Sequence, residues 1–248
     1  MEKYDLLING EWLTGESGET FDVINPAREE VVAQCAVANI PDTQTALEAA
    51  QTAFESWRYT SARERCEILH LAADLFRERI DRAAEFLTLD HGIPLQDSYK
   101  ELKFSADVID YYAEEARRLH GTHFEGDAGP THSFVLKQPV GVVAAITPWN
   151  FPVDLLSWKI GPALAVGCTA VVKPPSQSPL AAIEFMRCFV DAGLPPGVLN
   201  IVMGAGRTVG AELVTNPISR KIAFTGSTET GLWIAQQAAK NLKHVTLE

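Results

Sequence analysis

The sequence predicts an α/β protein: a doubly wound parallel sheet with flanking helices and a projecting β-ribbon. Three observations predict it. Short apolar runs recur at 141–146, 170–173, 199–202, 221–224 and 245–247, with helix-length segments between them. Strand and helix alternating at that spacing imply βαβ units and a parallel sheet. A helical period occupies the stretch from Pro41 to about residue 120, and a Gly- and Pro-punctuated stretch, 121–139, separates it from the strands.

The elements follow in order. Residues 6–38 alternate short apolar runs with the turn signals Asn9-Gly10, Thr14-Gly15 and Asn25-Pro26, which predicts a small antiparallel unit. From Pro41 the period becomes helical. Asp42 is the expected cap of a helix through Trp57. Ser61 is the expected cap of a second, with Ile68, Leu71, Ala72, Leu75 and Phe76 on one face. More helix runs to His91-Gly92, and a long one spans roughly 96–119. Residues 121–139, with Gly121, Gly126, Gly129 and Pro130 before Thr131-His132-Ser133-Phe134-Val135, read as a two-stranded ribbon that projects from the body.

Composition narrows the function. At 248 residues and 46% hydrophobic, the chain can bury a full core. A formal net charge of −11 argues against nucleic acid as a partner, since phosphate binding needs a positive field. The longest apolar stretches are broken by Gly and Pro, so no membrane span is expected. Met1-Glu2-Lys3-Tyr4-Asp5 lacks the order of a signal peptide. Four cysteines, Cys35, Cys66, Cys168 and Cys188, are widely spaced, which favours reduced thiols and a cytoplasmic setting. Cys168 and Cys188 lie in core-like surroundings and read as structural. His120 and His123 have no third ligand in view, so no metal site is expected.

Three strand ends share one design. Lys173-Pro174-Pro175-Ser176 stiffens one exit; Gly204-Ala205-Gly206-Arg207 and Thr225-Gly226-Ser227-Thr228 each open a helix after a strand. Glycines let backbone approach a ligand, and a helix N-terminus offers free N–H groups to a phosphate. Ligands of such sheets sit at the carboxyl ends of the strands, where these residues fall. The loop Pro148-Trp149-Asn150-Phe151-Pro152 follows the 142–146 strand. Two roles stay open for Asn150: its amide can donate to a developing oxyanion, or it can cap the following helix.

Ile146-Thr147-Pro148-Trp149-Asn150-Phe151-Pro152, Gly161-Pro162-Ala163-Leu164-Ala165, Lys173-Pro174, Phe224-Thr225-Gly226-Ser227-Thr228-Glu229 and Val245-Thr246-Leu247-Glu248 occur in that order. Together they resemble the NAD(P)-dependent aldehyde dehydrogenase superfamily, with motifs close to its semialdehyde dehydrogenases. The likeness extends to Ile8-Asn9-Gly10-Glu11-Trp12 and Asn25-Pro26-Ala27 near the start. It implies a Rossmann-like cofactor-binding domain in two parts, residues 1–120 and 140–248, with 121–139 as the oligomerisation arm of a homo-oligomer. It implies that Asn150 is the oxyanion amide and that Glu248 is the base activating water. Thr147, Pro148, Trp149, Lys173, Ser176, Gly206, Arg207, Gly226 and Ser227 would face the cofactor, and Phe151, Leu155 and Trp158 the aldehyde. The family's chemistry is attack by a cysteine thiolate, hydride transfer to nicotinamide and hydrolysis of the thioester.

Departures from the family pattern carry further expectations. The nucleophilic cysteine belongs to the family's next domain, so the chain is expected to be a fragment, inactive alone, with Glu248 frayed at its end. Ser176 stands where NAD-preferring members often carry a ribose-gripping glutamate, and with Arg207 it tilts the choice towards NADP over NAD. Trp158 replaces an arginine that relatives acting on succinate semialdehyde tend to carry, which counts against that substrate. The rival reading is a non-catalytic nucleotide-binding or hetero-oligomerising module left by truncation.

Overall fold

A seven-stranded sheet organises the computed structural model, which describes residues 2–127 and 129–248. Met1, at the start of the first expected domain part, and Ala128, within the ribbon connection, lie outside the described residues.

The chain opens with β1 (Glu2–Tyr4), β2 (Leu6–Ile8), β3 (Glu11–Leu13), β4 (Thr20–Asn25) and β5 (Glu30–Ala36). They do not form the single antiparallel unit that turn signals suggest. β1 pairs in parallel with β5, and β4 runs antiparallel to β5. The β2–β3 hairpin instead joins the large sheet, through Leu7 opposite Ile201. The physical reason lies in Leu6-Leu7-Ile8, all three buried. Such an uninterrupted apolar run suits a strand covered on both faces rather than one side of a small sheet. Asn9 and Gly10, at φ 53° and 82°, make the tight turn that the hairpin requires.

Helix α1 (Ile40–Trp57) corrects the expected cap. Asn39 is the N-cap and Asp42 is three residues in. The Asn39 side chain accepts from the Asp42 N–H at 2.8 Å, and the Asp42 carboxylate accepts from the Asn39 N–H at 2.9 Å. Pro41 fits the first turn, where its missing N–H costs nothing. Helix α2 (Ala62–Glu78) is capped by Ser61 as expected. Its buried stripe is Cys66, Leu69, Ala72, Ala73 and Phe76, whereas Leu71 is exposed. The face is rotated from the expected one because this helix packs between two others, Leu95–Ala116 and Leu180–Asp191.

Helix α3 (Ile80–His91) ends at left-handed Gly92, and α4 (Leu95–Ala116) follows directly. The ribbon is β6 (Thr122–Glu125) against β7 (His132–Val135), antiparallel and exposed. Then come β8 (Val142–Ile146), α5 (Asp154–Ala165), β9 (Thr169–Lys173), α6 (Leu180–Asp191) and β10 (Leu199–Ile201). A π-helical turn (Gly206–Gly210) runs into α7 (Ala211–Thr215), followed by β11 (Ser219–Phe224), α8 (Thr228–Ala239) and β12 (His244–Leu247).

The strand order is β12-β11-β8-β9-β10-β2-β3. From β8 the chain steps outward through β9 to β10, then returns to the other side of β8 for β11 and β12. Right-handed crossovers in opposite directions put α5 and α6 on one face and α7 and α8 on the other. The order reverses between β8 and β11, which opens a crevice at their carboxyl ends. Every residue of β8 and β9 is buried.

Two buried carboxylates fix the loops at that edge. Glu101 of α4 accepts from the N–H groups of Val153 and Asp154, at 3.0 and 3.2 Å, and so caps α5 from another helix. Asp90 of α3 accepts from the Ser178 hydroxyl at 2.7 Å and the Leu180 N–H at 2.9 Å, doing the same for α6. Burial pushes both acids up to about 7, against the hydrogen bonds that favour their charged forms.

Candidate functional site

Five parallel strands deliver their carboxyl ends to one edge, and the expected site residues follow those ends. After β8, the Thr147 N–H donates to the Lys173 carbonyl at 3.3 Å, which ties the exits of β8 and β9 together. The Thr147 hydroxyl is buried without a partner among the described residues. Trp149 is half exposed, its ring 5.8 Å from that of His91. His91 Nε2 lies 3.2 Å from the Asn150 carbonyl and so pins the loop backbone.

Of the two roles left open for Asn150, the cap is not the one adopted. Helix α5 begins after Val153 with no side-chain cap of its own, because Glu101 supplies the acceptor. Asn150 is exposed in the loop that follows β8. Phe151 is likewise exposed, Leu155 is half-buried, and Trp158 packs its ring 5.9 Å from Tyr112 and 6.2 Å from Phe104. These rings form an aromatic wall on α4 and α5, and Phe104 and Tyr112 were not expected from the sequence.

Glu248 is held on both sides rather than frayed. Its N–H donates to the Phe224 carbonyl at 3.1 Å, and its carbonyl accepts from the Gly226 N–H at 3.0 Å. The Thr225 hydroxyl donates to its carboxylate at 3.2 Å and accepts from Lys159 Nζ at 2.7 Å. Lys159 therefore reaches Glu248 through one hydroxyl. Burial lowers this lysine to about 8, with Glu248 and Asp154 opposing the shift. Sequence reasoning missed Lys159. Its signal was a single cation in the otherwise apolar stretch from Trp158 to Ala165. Lys159, Thr225, Trp158 and Glu248 share a cavity of about 510 Å³.

A second cleft, of about 630 Å³, lies across Phe224 and is lined by Lys173, Gly206, Arg207, Glu229, Thr230 and Trp233. Lys173 is 8% exposed, and burial lowers it to about 8; its Nζ donates to the Pro174 carbonyl at 3.3 Å. A Cβ at Gly206 would meet nothing within 4 Å, so this glycine faces open space. Gly226 differs: a Cβ there would come 2.5 Å from Phe224 Cζ, so the ring itself demands glycine. Ser227 caps α8, accepting from the Thr230 N–H at 3.3 Å. Gly226 and Ser227 border a smaller hollow with Glu248. Ser176 lines yet another hollow, beside Asp90, His91 and Trp149. The structure thus gathers Lys173, Gly206 and Arg207 in one cleft and puts Ser176 in a separate hollow.

All four cysteines are buried. Burial pushes Cys35 and Cys188 up to about 12 and raises Cys66 and Cys168 too. Arg79 lies 3.9 Å from Cys188 Sγ, a cation that sequence spacing did not reveal, yet burial outweighs it. None is a poised thiolate.

Residues 12–248 match the family described as Aldehyde dehydrogenase family. The chain is 43% identical to the NADP(+) succinate-semialdehyde dehydrogenase of Escherichia coli K12, covering 98% of this chain and 50% of that one. It is also 43% identical to the glutarate-semialdehyde dehydrogenase of Pseudomonas putida KT2440, covering 97% and 50%. Among solved structures, an E. coli NADP-dependent enzyme superposes with a TM-score of 0.97 at 42% identity, over 100% of this chain and 51% of that chain. A Bacillus cereus aldehyde dehydrogenase solved with NAD+ gives 0.96 at 39%, over 100% and 51%. The chain therefore spans about half the length of the curated relatives it matches. Among the described residues no helix is long and apolar enough to cross a membrane.

Proposed function

Because the chain belongs to the aldehyde dehydrogenase family, we propose that the protein oxidises an aldehyde to a carboxylic acid, with NADP favoured over NAD as hydride acceptor. The observation that carries this reading is the convergence of Asn150, Lys173, Arg207, Thr225 and Glu248 on one sheet edge, at the strand-order reversal.

The residues fit a dinucleotide. A buried Lys173 ammonium with one carbonyl partner and an unpartnered buried Thr147 hydroxyl both suit a ligand rich in oxygen. Lys173 and Arg207 would hold the adenosine ribose and its 2′-phosphate, and Ser227 at the start of α8 the bridging phosphates. When bound, the nicotinamide takes up the hydride.

The chain's own groups do the rest. The Asn150 amide donates to the aldehyde oxygen as negative charge grows there. Glu248 takes a proton from the hydrolytic water, while the Lys159–Thr225 pair fixes its carboxylate. Phe151, Leu155 and Trp158 pack against the substrate's body. The aromatic wall of Phe104, Tyr112 and Trp158 favours an aldehyde with an apolar body, although Lys159 and Lys221 line the cavity that Trp158 borders. The 248 residues alone turn over no aldehyde, because each of their cysteines is a buried thiol. The ribbon mates protomers, and four unpaired cysteines fit a reducing, cytoplasmic setting.

Rapid mixing of enzyme extended to its relatives' length tests the assignment. Glu248→Gln should still release a stoichiometric burst of reduced cofactor and then stall. Asn150→Ala should slow the burst itself, by about 10²–10³. A burst abolished in Glu248→Gln would mean that this carboxylate also deprotonates the nucleophile. A protein that binds nucleotide yet never turns over would point to the non-catalytic module.

A further inference from the structure

Away from the sheet edge, helices α2 and α4 run side by side and present a polar seam. Cys66 and His70, one helical turn apart on α2, face Asp110 and Glu114, one turn apart on α4. Residues spaced i, i+4 share a helix face, so two such pairs on adjacent helices converge without any loop. One ligand atom from each of Cys66, His70 and Glu114 lies within 4.8 Å of the others.

The imidazole is the informative member. His70 Nδ1 lies 2.6 Å from Asp110 Oδ1, and Nε2 lies 2.9 Å from Glu114 Oε1. A neutral imidazole has one N–H, so it can donate to only one of these carboxylates. The other contact sets a nitrogen lone pair against an oxygen lone pair unless a positive species stands between them. A proton satisfies that requirement, and so does a metal ion. Asp110 is itself anchored by Arg77, which keeps its carboxylate on Nδ1. That arrangement commits Nε2 to the side where Glu114 and the Cys66 sulfur lie, as in carboxylate–histidine–zinc units.

We infer that Cys66, His70 and Glu114 form a binding site for a zinc-class divalent cation, with Asp110 orienting the imidazole. Thiolate, imidazole and carboxylate together suit zinc or cobalt over magnesium or calcium, which prefer all-oxygen sets. Bonds of about 2.0–2.3 Å place tetrahedral ligands roughly 3.2–3.8 Å apart, so closing the site asks for movements of about 1 Å. His70 is half-buried and Glu114 exposed, leaving both free to make them. Binding releases two protons, one from the Cys66 thiol and one from His70 Nε2. The dication then balances one thiolate and one carboxylate, and solvent water fills the fourth position. Arg117, exposed at the end of α4 and near the Cys66 thiol, swings into solvent as the cation takes its place.

Cobalt(II) is the probe, because a cobalt–thiolate bond adds an intense near-ultraviolet charge-transfer band. Titrating the purified protein should give that band with one cobalt per chain, and zinc should bleach it. Cys66→Ser should remove the band, Glu114→Gln should weaken binding tenfold or more, and Asp110→Asn about 10–100-fold. The double variant His123→Asn/His132→Asn, which alters the exposed ribbon, should change nothing. Circular dichroism checks each fold, and Glu114→Gln, at an exposed position, decides if Cys66→Ser does not fold. Cobalt binding without the sulfur band, a band that survives Cys66→Ser, or unweakened binding in Glu114→Gln would each overturn the proposal.

Discussion

Single side chains divide by whether their role is written locally. Asn150, Lys173, Arg207 and Glu248 follow strands in recognisable phrases, and all lie at the expected edge. Lys159 was invisible because its partners, Thr225 and Glu248, are distant in sequence. Its buried ammonium predicts a pH effect. The folded group titrates near 8 and the unfolded one near 10.5, so the folded state binds fewer protons between those values. Stability therefore rises with pH across that window, by this group's share. Lys159→Met should flatten the rise in chemical denaturation; an unchanged slope would mean that Lys159 stays charged. Cofactor choice is also a residue-scale matter. Ser176→Glu should move preference towards NAD, since a carboxylate there would oppose the charge-assisted 2′-phosphate contact of Lys173 and Arg207, worth about 1.5–3 kcal/mol, roughly tenfold or more in affinity. Strong NAD preference in the unmutated protein would contradict this.

Elements were legible where the period was long, and misread where capping or burial was tertiary. The α1 cap shifted from Asp42 to Asn39 because Asp42 serves as the reciprocal acceptor of a capping box. The start of α5 carries no local cap because the acceptor is Glu101, 52 residues earlier. Glu101→Ala should cost about 1–2 kcal/mol, the range for a lost cap. Its acid also sets a pH dependence. The folded carboxyl titrates near 7 against 4.5 unfolded, so its stabilisation is fully present below 4.5 and is lost as pH rises through 7. Glu101→Gln keeps an acceptor oxygen and should flatten that decline in thermal melts. Asp90 repeats the design at α6 and should keep part of the slope in the single variant.

At the scale of the molecule, the parallel sheet was legible because βαβ repeats state their period openly. The place of β2 and β3 was not, since their partner β10 lies nearly 200 residues on and no local signal distinguishes one sheet from another. The ribbon exposes Phe124, Phe134, Val135 and Leu136, an apolar surface that suits a second copy of the chain. Phe134→Asp should therefore lower the sedimenting mass, and an unchanged mass would remove the ribbon from the interface. The proposed chemistry requires a dinucleotide lying across the ends of β8, β9, β10 and β11. Calorimetric titration of NADP into the protein tests this most directly. One site per chain is expected, tighter for NADP than for NAD, and weakened about tenfold or more by Lys173→Ala or Arg207→Ala. No binding, or binding indifferent to both substitutions, would contradict it.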